Sequence, residues 1–531
     1  MSTERLRSGR HGKPVRGTAV RYETGKSDSF IVPENHMNKA ATAPEGTRVR
    51  EGLSRTSAVP EPMSKAVAEC EEGRELAKGN LVGQYRDRTQ RRAALQSALD
   101  WIRQAVRRNR NEQMTSLWHH VYNEDRLLES YLALKPGASA GVDGVTWSEY
   151  GEHLEENLRD LSERLKRGAY KAKPVLRVYI PKADGRQRPI GIPALEDKIV
   201  QRATAEVLNA VYEEEFMGFS YGFRPGRSQH QALDALWVGL VSRKVNWVLD
   251  MDIRGIFDAI DHEWLVKMVE HRIGDKRVVR HVQKWLKAGV LEDGRRQEVE
   301  AGTPQGGSIS PLLANIYLHY SFDQWAHRWR KQEAHGEVII VRYADDIVMG
   351  FEHRKDAVSF RKALEERLRK FNLELHPDKT RLLEFGRYAS ERRSRRGAPR
   401  PETFNFLGFV HICGTSRKGN FVVRRHTIAA RMRAKLQEVK RHLKARMHMR
   451  PPEQGKWLGA VLRGYYQYYA VSGNMRFLDR FRWAVQKYWY RALNRRSHKA
   501  RTSLERMSEL AKTWLPVPNV IHPCPLNRLR V

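Results

Sequence analysis

The segment VIIVRYADDIVMGF, residues 338–351, sets two adjacent carboxylates, Asp345 and Asp346, between two apolar runs. Val338, Ile339, Ile340 and Val341 are β-branched, and Ile347, Val348 and Met349 resume the pattern. The spacing therefore predicts strand, tight turn, strand, with the acids at the bend. Aspartate suits turns because its side chain bonds nearby backbone. Adjacent acids also repel, and a chain tolerates them when a divalent cation neutralises both. A third carboxylate bears on the choice: Asp252 ends a second strand-like run, VNWVLDMD. If the two strands are sheet neighbours, three carboxylates converge on one point. Such a cluster can hold two Mg2+ ions roughly 3.5–4 Å apart, one activating a 3′-hydroxyl and the other steadying a leaving pyrophosphate. Magnesium is the expected ion, because it takes hard oxygen ligands and substrate phosphates complete its octahedron. Asp250, Asp258 and Asp261 compete for the third position. Asp250 shares a strand face with Asp252, so spacing alone does not choose between them; Asp258 and Asp261 flank the next helix.

The chain that carries these acids has 531 residues, enough for several subdomains. It holds 96 Lys and Arg against 62 Asp and Glu, a net charge of +34, which calls for a polyanionic partner. A membrane surface is disfavoured as a spanning partner, since the apolar runs are strand-sized and a span needs about 18 or more residues. Nucleic acid fits better: the positive charge is spread along the chain and interleaved with 13 Trp and 19 Tyr. The opening MSTERLRSGRHGKPVRG lacks the apolar core of a secretory signal, and Glu4 and Glu23 weigh against a transit peptide. Cys70, Cys413 and Cys524 are isolated, so neither a disulfide framework nor a zinc site built on paired cysteines is expected. The expected compartment is reducing and cytoplasmic.

Residues 1–90 are rich in Gly, Pro, Ser, Thr and charge and predict a flexible basic extension. Helical periodicity starts at Ser97. PVLRVYIPKADGRQRPIGIP reads as a hairpin whose loop carries Lys182, Asp184, Gly185, Arg186 and Arg188. GTPQGGSISPLLANIYL reads as a glycine-rich turn opening an amphipathic helix. Ten Lys or Arg against the single acid Glu438 lie between Arg424 and Arg450, on an expected long helix, with two further helical segments beyond it. Three successive basic helices interleaved with Tyr465, Tyr466, Tyr468, Tyr469, Trp483, Tyr488 and Trp489 point to nucleic-acid contact.

YADD with DIRGIFDAIDH, GTPQGGSISPLLANIYL, IPKADGRQRPIGIPALEDKIVQ, FSYGFRPGRS, LHPDKTRLLEF and FNFLGF resemble the successive blocks of group II intron reverse transcriptases, and LRGYYQYY resembles the maturase or thumb region after them. The likeness covers roughly residues 95–520. It implies an α+β right-hand polymerase: fingers over 91–240, a palm with the catalytic carboxylates over 241–415, a helical thumb/maturase domain over 416–515 and a tail over 516–531. The resemblance selects Asp252 over Asp250, so Asp252, Asp345 and Asp346 would be catalytic and would hold the metals with the Ile253 carbonyl. It further implies that Phe257 lies under the sugar of the incoming nucleotide and excludes a 2′-hydroxyl. Lys182 and Arg188 would clamp the triphosphate, Gln305, Gly306 and Gly307 would form the turn against which nucleotide and template pack, and Lys379 would approach the triphosphate from the other side. Arg224, Arg227, Arg424, Arg425, Lys435, Arg441 and Lys444 are the expected nucleic-acid contacts. The implied partners are intron RNA, an RNA template with a DNA primer or target DNA, and dNTPs, in a bacterial cytoplasm.

Many relatives continue into a zinc-supported endonuclease. This sequence stops at VIHPCPLNRLRV without a cysteine pair, so no endonuclease domain is expected. Two alternatives stand beside an intron-serving polymerase: a splicing cofactor whose polymerase has decayed, against which the intact YADD, Asp252, Lys182, Arg188 and PQGG argue, and a domesticated enzyme of repair or defence. A folded intron RNA enclosing the coding region would separate the first reading from the last.

Overall fold

The computed structural model describes residues 75–181, 187–292, 294–297, 301–303, 306–496 and 501–525. Most of the expected N-terminal extension lies outside these residues. Its C-terminal end is helical: the first helix starts at Glu75 and runs to Arg108. No proline falls between Pro62 and Arg108, and helix formers dominate the segment, so nothing in the sequence stops the helix before Ser97.

In chain order the strands among the described residues are β1 (Val175–Pro181), β2 (Gln187–Ile192), β3 (Trp247–Asp252), β4 (Val290–Glu292), β5 (Arg295–Gln297), β6 (Val338–Tyr343), β7 (Asp346–Phe351), β8 (Arg381–Glu384), β9 (Phe404–Phe406), β10 (Phe409–Thr415) and β11 (Phe421–Thr427). They form three sheets, ordered β2-β1-β4-β5, β6-β7-β3-β8 and β11-β10-β9. In the second sheet every pairing is antiparallel, and β3 sits between β7 and β8. Period-two alternation sends its side chains to two different cores. Leu249, Met251, Ile340 and Met349 join the largest core, whose members range from Leu99 to Leu375 and so come from both sides of residue 240. Val248, Val341, Val348 and Leu383 face the helix Gln229–Ser242 and the third sheet. A third core binds the helices Ala429–Ala445, Pro451–Tyr469, Met475–Asn494 and Leu504–Trp514.

The expected amphipathic helix after the glycine turn, Ser310–Leu318, is buried on every side. It runs through the main core, where a uniformly apolar helix belongs. It continues as a π-helical turn, His319–Asp323, and then as Gln324–Gln332. Such a turn inserts an extra residue and re-aims the side chains beyond it. Here it delivers Asp323, fully buried, to the equally buried Arg342 of β6. Arg342 donates through Nε to Asp323 Oδ1 at 2.7 Å and through Nη2 to Oδ2 at 2.5 Å. Its remaining hydrogens reach Asn315 Oδ1 (3.0 Å), Ser220 Oγ (2.7 Å) and the carbonyl of Ala344 (3.1 Å).

The expected long basic helix is two elements. Arg424 and Arg425 lie on β11, and the helix begins only at Ala429, because the β-branched and aromatic run FVVRRHT pairs with β10. The C-terminal segment through Pro525 is packed rather than free: Pro516 O accepts from Tyr466 Oη at 3.1 Å, and Ile521 and His522 N donate to Ala470 O. No helix among the described residues is long and apolar enough to cross a membrane.

Replacing Arg342 by Met leaves Asp323 charged in a dry site, which costs about 3–5 kcal/mol. The expected outcome is a lower urea midpoint for Arg342→Met, with much of the loss recovered in the double variant Arg342→Met/Asp323→Leu; equal midpoints for wild type and the single variant would show that the pair carries no such weight.

Candidate active site

Asp345 sits in a two-residue turn between β6 and β7. Tyr343 pairs with Asp346 across it, and Ala344 takes a left-handed φ of 55°. A non-glycine residue there costs roughly 1–2 kcal/mol, so the surroundings must impose it. They do so at close range. Gly222, in YGFRPG, presses its backbone on Tyr343 and Ala344 so closely that a Cβ would collide with Ala344 N. Gly222 O in turn accepts from Asn315 Nδ2 at 2.7 Å. Arg342 holds the turn from beneath through Ala344 O. The turn is therefore clamped by residues of three separate motifs.

The third carboxylate arrives by sheet register. Asp252 pairs directly with Asp346 across β3 and β7. Its backbone carbonyl accepts from His376 N at 2.8 Å, which draws in the HPDK turn. Lys379 Nζ consequently lies 2.5 Å from Asp252 Oδ2. Asp250 is taken elsewhere: it is paired with Arg381 Nη2 at 3.6 Å, and burial above all pushes its carboxyl up to about 6. Asp261 caps the helix His262–Glu270 by accepting from Trp264 N at 2.9 Å, and Asp258 is exposed beside it.

The expected convergence holds for the backbone and not for the side-chain oxygens. Among the described residues no three Asp, Glu, His or Cys side chains gather closely enough to hold a metal ion. Like charges repel, and the Lys379 ammonium supplies the counter-charge to Asp252. The site nonetheless keeps an excess of negative charge. Asp346 is pushed up to about 7, by burial first and then by Asp345, Asp252 and Asp250, with Lys379 opposing. Asp345 is also raised, chiefly by burial and further by Asp252, while Lys379 and Arg188 pull the other way. Both acids lie in a cleft where water reaches them yet protein surrounds them. This uncompensated charge on hard oxygen donors suits a divalent cation.

Arg188 is on β2, opposite Ile180 and not in the hairpin loop, exposed and close enough to Asp345 to act on its charge. Lys182 and Gln305 lie outside the described residues. Gly306, at φ 130°, backs onto β2, where a Cβ would collide with Gly191 O. Ser308 N donates to Gln201 Oε1 at 3.0 Å, tying the same turn to the helix Leu195–Tyr212. Ile253 is buried and bridges to Leu375. Phe257 is half-buried in the short helix Ile256–Ala259, which Gly255 opens at φ 52°. Its carbonyl accepts from Thr303 N at 2.6 Å, and a Cβ on Gly302 would lie 2.8 Å from that same oxygen. The loop that begins at Gly302 thus fixes the backbone of Phe257, a contact that spacing could not foretell.

Two expected nucleic-acid contacts are corrected. Arg224 is buried: it forks onto Glu213, donates to Met217 O and Ser220 O at 2.8 Å each, and packs on Phe216. Arg425 is also buried and pairs with Asp234 Oδ1 at 3.1 Å. Both are buried arginines neutralised by half-buried acids, and an arginine so engaged has no charge to offer a phosphate. Arg227, Arg424, Arg441 and Lys444 are exposed, and Lys435 is half-buried and paired with Glu438. Tyr465, Tyr466 and Trp489 fill the third core instead of meeting bases, while Trp483 is exposed.

Residues 180–411 match the family described as reverse transcriptase (RNA-dependent DNA polymerase). The chain is 35% identical over 285 residues to protein YkfC of Escherichia coli, covering 47% of this chain and 74% of YkfC. It is 36% identical over 222 residues to the group II intron-encoded protein LtrA of Lactococcus lactis, covering 42% of this chain and 37% of LtrA. The chain belongs to the group II intron reverse transcriptase and maturase family. A putative COX1/OXI3 intron 1 protein of Saccharomyces cerevisiae is a further relative, 31% identical over 219 residues, or 41% of this chain and 25% of that protein. The aligned part is thus well under half of the two intron proteins. Membership carries the right-hand polymerase fold, and polymerases of this family generally use divalent metal ions.

Asp345→Asn should abolish magnesium-dependent primer extension while leaving the thermal midpoint unreduced, since the turn is held by Arg342 and Gly222 and not by this charge. Undiminished extension by that variant would remove Asp345 from the chemistry.

Proposed function

We propose that this chain is the RNA-directed DNA polymerase of a group II intron, binding its intron RNA to assist splicing and copying RNA into DNA during intron mobility. One observation carries the chemistry: Asp252 and Asp346 are paired in register with Asp345 at the adjoining turn, in a cleft whose negative charge is offset only in part. In this reading residues 91–240 are fingers, 241–415 the palm and 416–515 the thumb/maturase domain.

Asp252, Asp345 and Asp346, with the Ile253 carbonyl, would hold two magnesium ions. Bound there, magnesium lowers the pKa of a primer 3′-hydroxyl and offsets charge on the departing pyrophosphate. The protein's part is positioning and electrostatics. Arg188, with Lys182 six residues before it in the sequence, would neutralise the triphosphate, and a guanidinium can fork onto two phosphate oxygens. Lys379, already beside Asp252, stands where it can exchange that partner for a phosphate oxygen. Phe257, fixed from behind by Thr303 and Gly302, lies under the sugar and leaves no room for a 2′-hydroxyl. Retention of all these groups argues against a splicing cofactor with decayed polymerase activity.

The helical domain supports the RNA-holding half of the function. Arg441 and Lys444 line a groove of about 610 Å3 with Tyr488, Arg491 and Arg495, without an acid in its lining. Cations around a ring suit a nucleic-acid backbone.

Phe257→Val should raise ribonucleotide relative to deoxynucleotide incorporation, measured as a ratio of kcat/KM values; an unchanged ratio would return Phe257 to simple core packing. Replacing Arg441, Lys444 and Arg495 together by Gln should weaken binding of a folded group II intron RNA and flatten the log-log salt dependence by up to about two units, at about 0.7 per contact. Extension at saturating primer–template should change little. An unaltered salt slope would place the RNA surface elsewhere.

A further inference from the structure

A second cationic cavity lies at the junction of the β10–β11 hairpin, the first turns of the helix Met475–Asn494 and the C-terminal segment at Cys524. Its volume is about 620 Å3, within the range of pockets that hold small ligands. Its lining contains no Asp or Glu. Arg417, Arg424, Arg476 and Arg480 line it, and among the described residues none of the four has a carboxylate within ion-pair distance, unlike Arg425 beside them. All four are exposed. Like charges repel, so a chain that leaves four guanidinium groups around one hollow without acids holds a ready seat for an anion.

The cavity also has an aromatic side. Phe477 lies 4.8 Å from the His426 ring and 5.6 Å from the Arg480 guanidinium, measured between ring centroids and to the ring centroid respectively. Burial, then Arg424 and Arg476, lowers the His426 pKa and so favours the neutral ring, which lies tilted by 39° to Phe477. Ser416 and Ser472 add hydroxyls at the margin. A phosphate needs the cations alone; a flat neutral ring beside them suits a base attached to that phosphate. A duplex keeps its bases inside the stack and cannot present one to a hollow of this size.

We propose that this cavity seats an unpaired nucleotide of a bound nucleic-acid strand, its phosphate held by Arg476, Arg480 and Arg424 and its base stacked on Phe477 and His426. The proposal rests on the reading that the chain holds a large nucleic acid besides its primer–template. None of the cavity's lining residues belongs to the carboxylate cleft, so the seat should be separable from polymerisation. A single strand can come from looped intron RNA or from target DNA, and the chemistry of the seat is common to both.

The test uses the full chain with a 20-nucleotide oligouridine carrying one 4-thiouridine, a 20-nucleotide oligothymidine and a 20-base-pair RNA duplex. Crosslinking is done with and without a saturating RNA template–DNA primer hybrid. The expected result is an adduct within residues 424–426 or 476–480 that survives the hybrid, with the RNA duplex failing to compete. Arg476→Gln/Arg480→Gln should weaken oligouridine binding and flatten its salt slope by about 1.4 units, two contacts at about 0.7 each. Phe477→Ala should weaken binding about 5- to 100-fold, whereas Phe477→Tyr should restore it. The exposed arginine pair should be replaceable without lowering the thermal midpoint or primer extension. Preference for oligouridine would identify RNA as the occupant, and equal binding of oligothymidine would admit target DNA. Wild-type strand binding that ignores these variants, or adducts confined to other segments, would overturn the seat alone. Absence of any strand binding outside the hybrid cleft would overturn the RNA-holding reading as well.

Discussion

The buried ion pair between Arg342 and Asp323 is the constraint on which the rest of the site depends. A charge pair sealed from water is a poor source of net stability, because desolvation consumes most of the attraction. What it supplies is geometry. The guanidinium uses its donors on Asp323, Asn315, Ser220 and the carbonyl of Ala344, so three stretches of chain, the Ser220 loop, the helix through Asn315 and Asp323, and the end of β6, must take up one arrangement for all of them to be satisfied. That arrangement contains the left-handed Ala344 and sets Asp345 at the head of the turn. The π-helical turn His319–Asp323 belongs to the same device, since it aims Asp323 at β6.

Above this anchor the cleft combines tight backbone packing with unbalanced charge. Glycines let backbone meet backbone at Gly222 against Ala344, Gly302 against Phe257 and Gly306 against Gly191. These contacts bring a hairpin, a strand end and a loop within reach of one another without long side chains in between. Burial first, and neighbouring carboxylates after it, raise Asp345 and Asp346, while Lys379, and at Asp345 also Arg188, offset only part of the charge. A site with an excess of negative charge binds cations at an advantage, because their charge relieves the strain.

Two kinds of arginine contribute to the net charge of +34. Arg224, Arg342 and Arg425 are internal and satisfy acids that are buried, as Asp323 is, or half-buried, as Glu213 and Asp234 are. Arg424, Arg441, Arg476 and Arg480 are exposed, without a carboxylate partner among the described residues, and line hollows free of acid. Adjacent residues can fall into different kinds: alternation along β11 turns Arg424 to solvent and Arg425 inward.

Much of this was legible in the sequence. The YADD hairpin, the Asp252 strand and the β1–β2 hairpin come from local periodicity, which needs only neighbours in sequence, and the motif order identified the family. Tertiary structure decided the rest. Asp250 and Asp252 share a strand face, and only folding brings Arg381 of β8 to Asp250 as its ion-pair partner. Arg224 and Arg425 looked like surface charge because their partners, Glu213 and Asp234, are met only on folding. The tyrosines of LRGYYQYY divide between two cores according to which elements pack beside them. Local pattern reveals which face a residue shares and what chemistry it can perform. Which charge meets which, and which rings remain for a ligand, depends on contacts between residues far apart in the chain, and these exist only once the sheets and helices have packed.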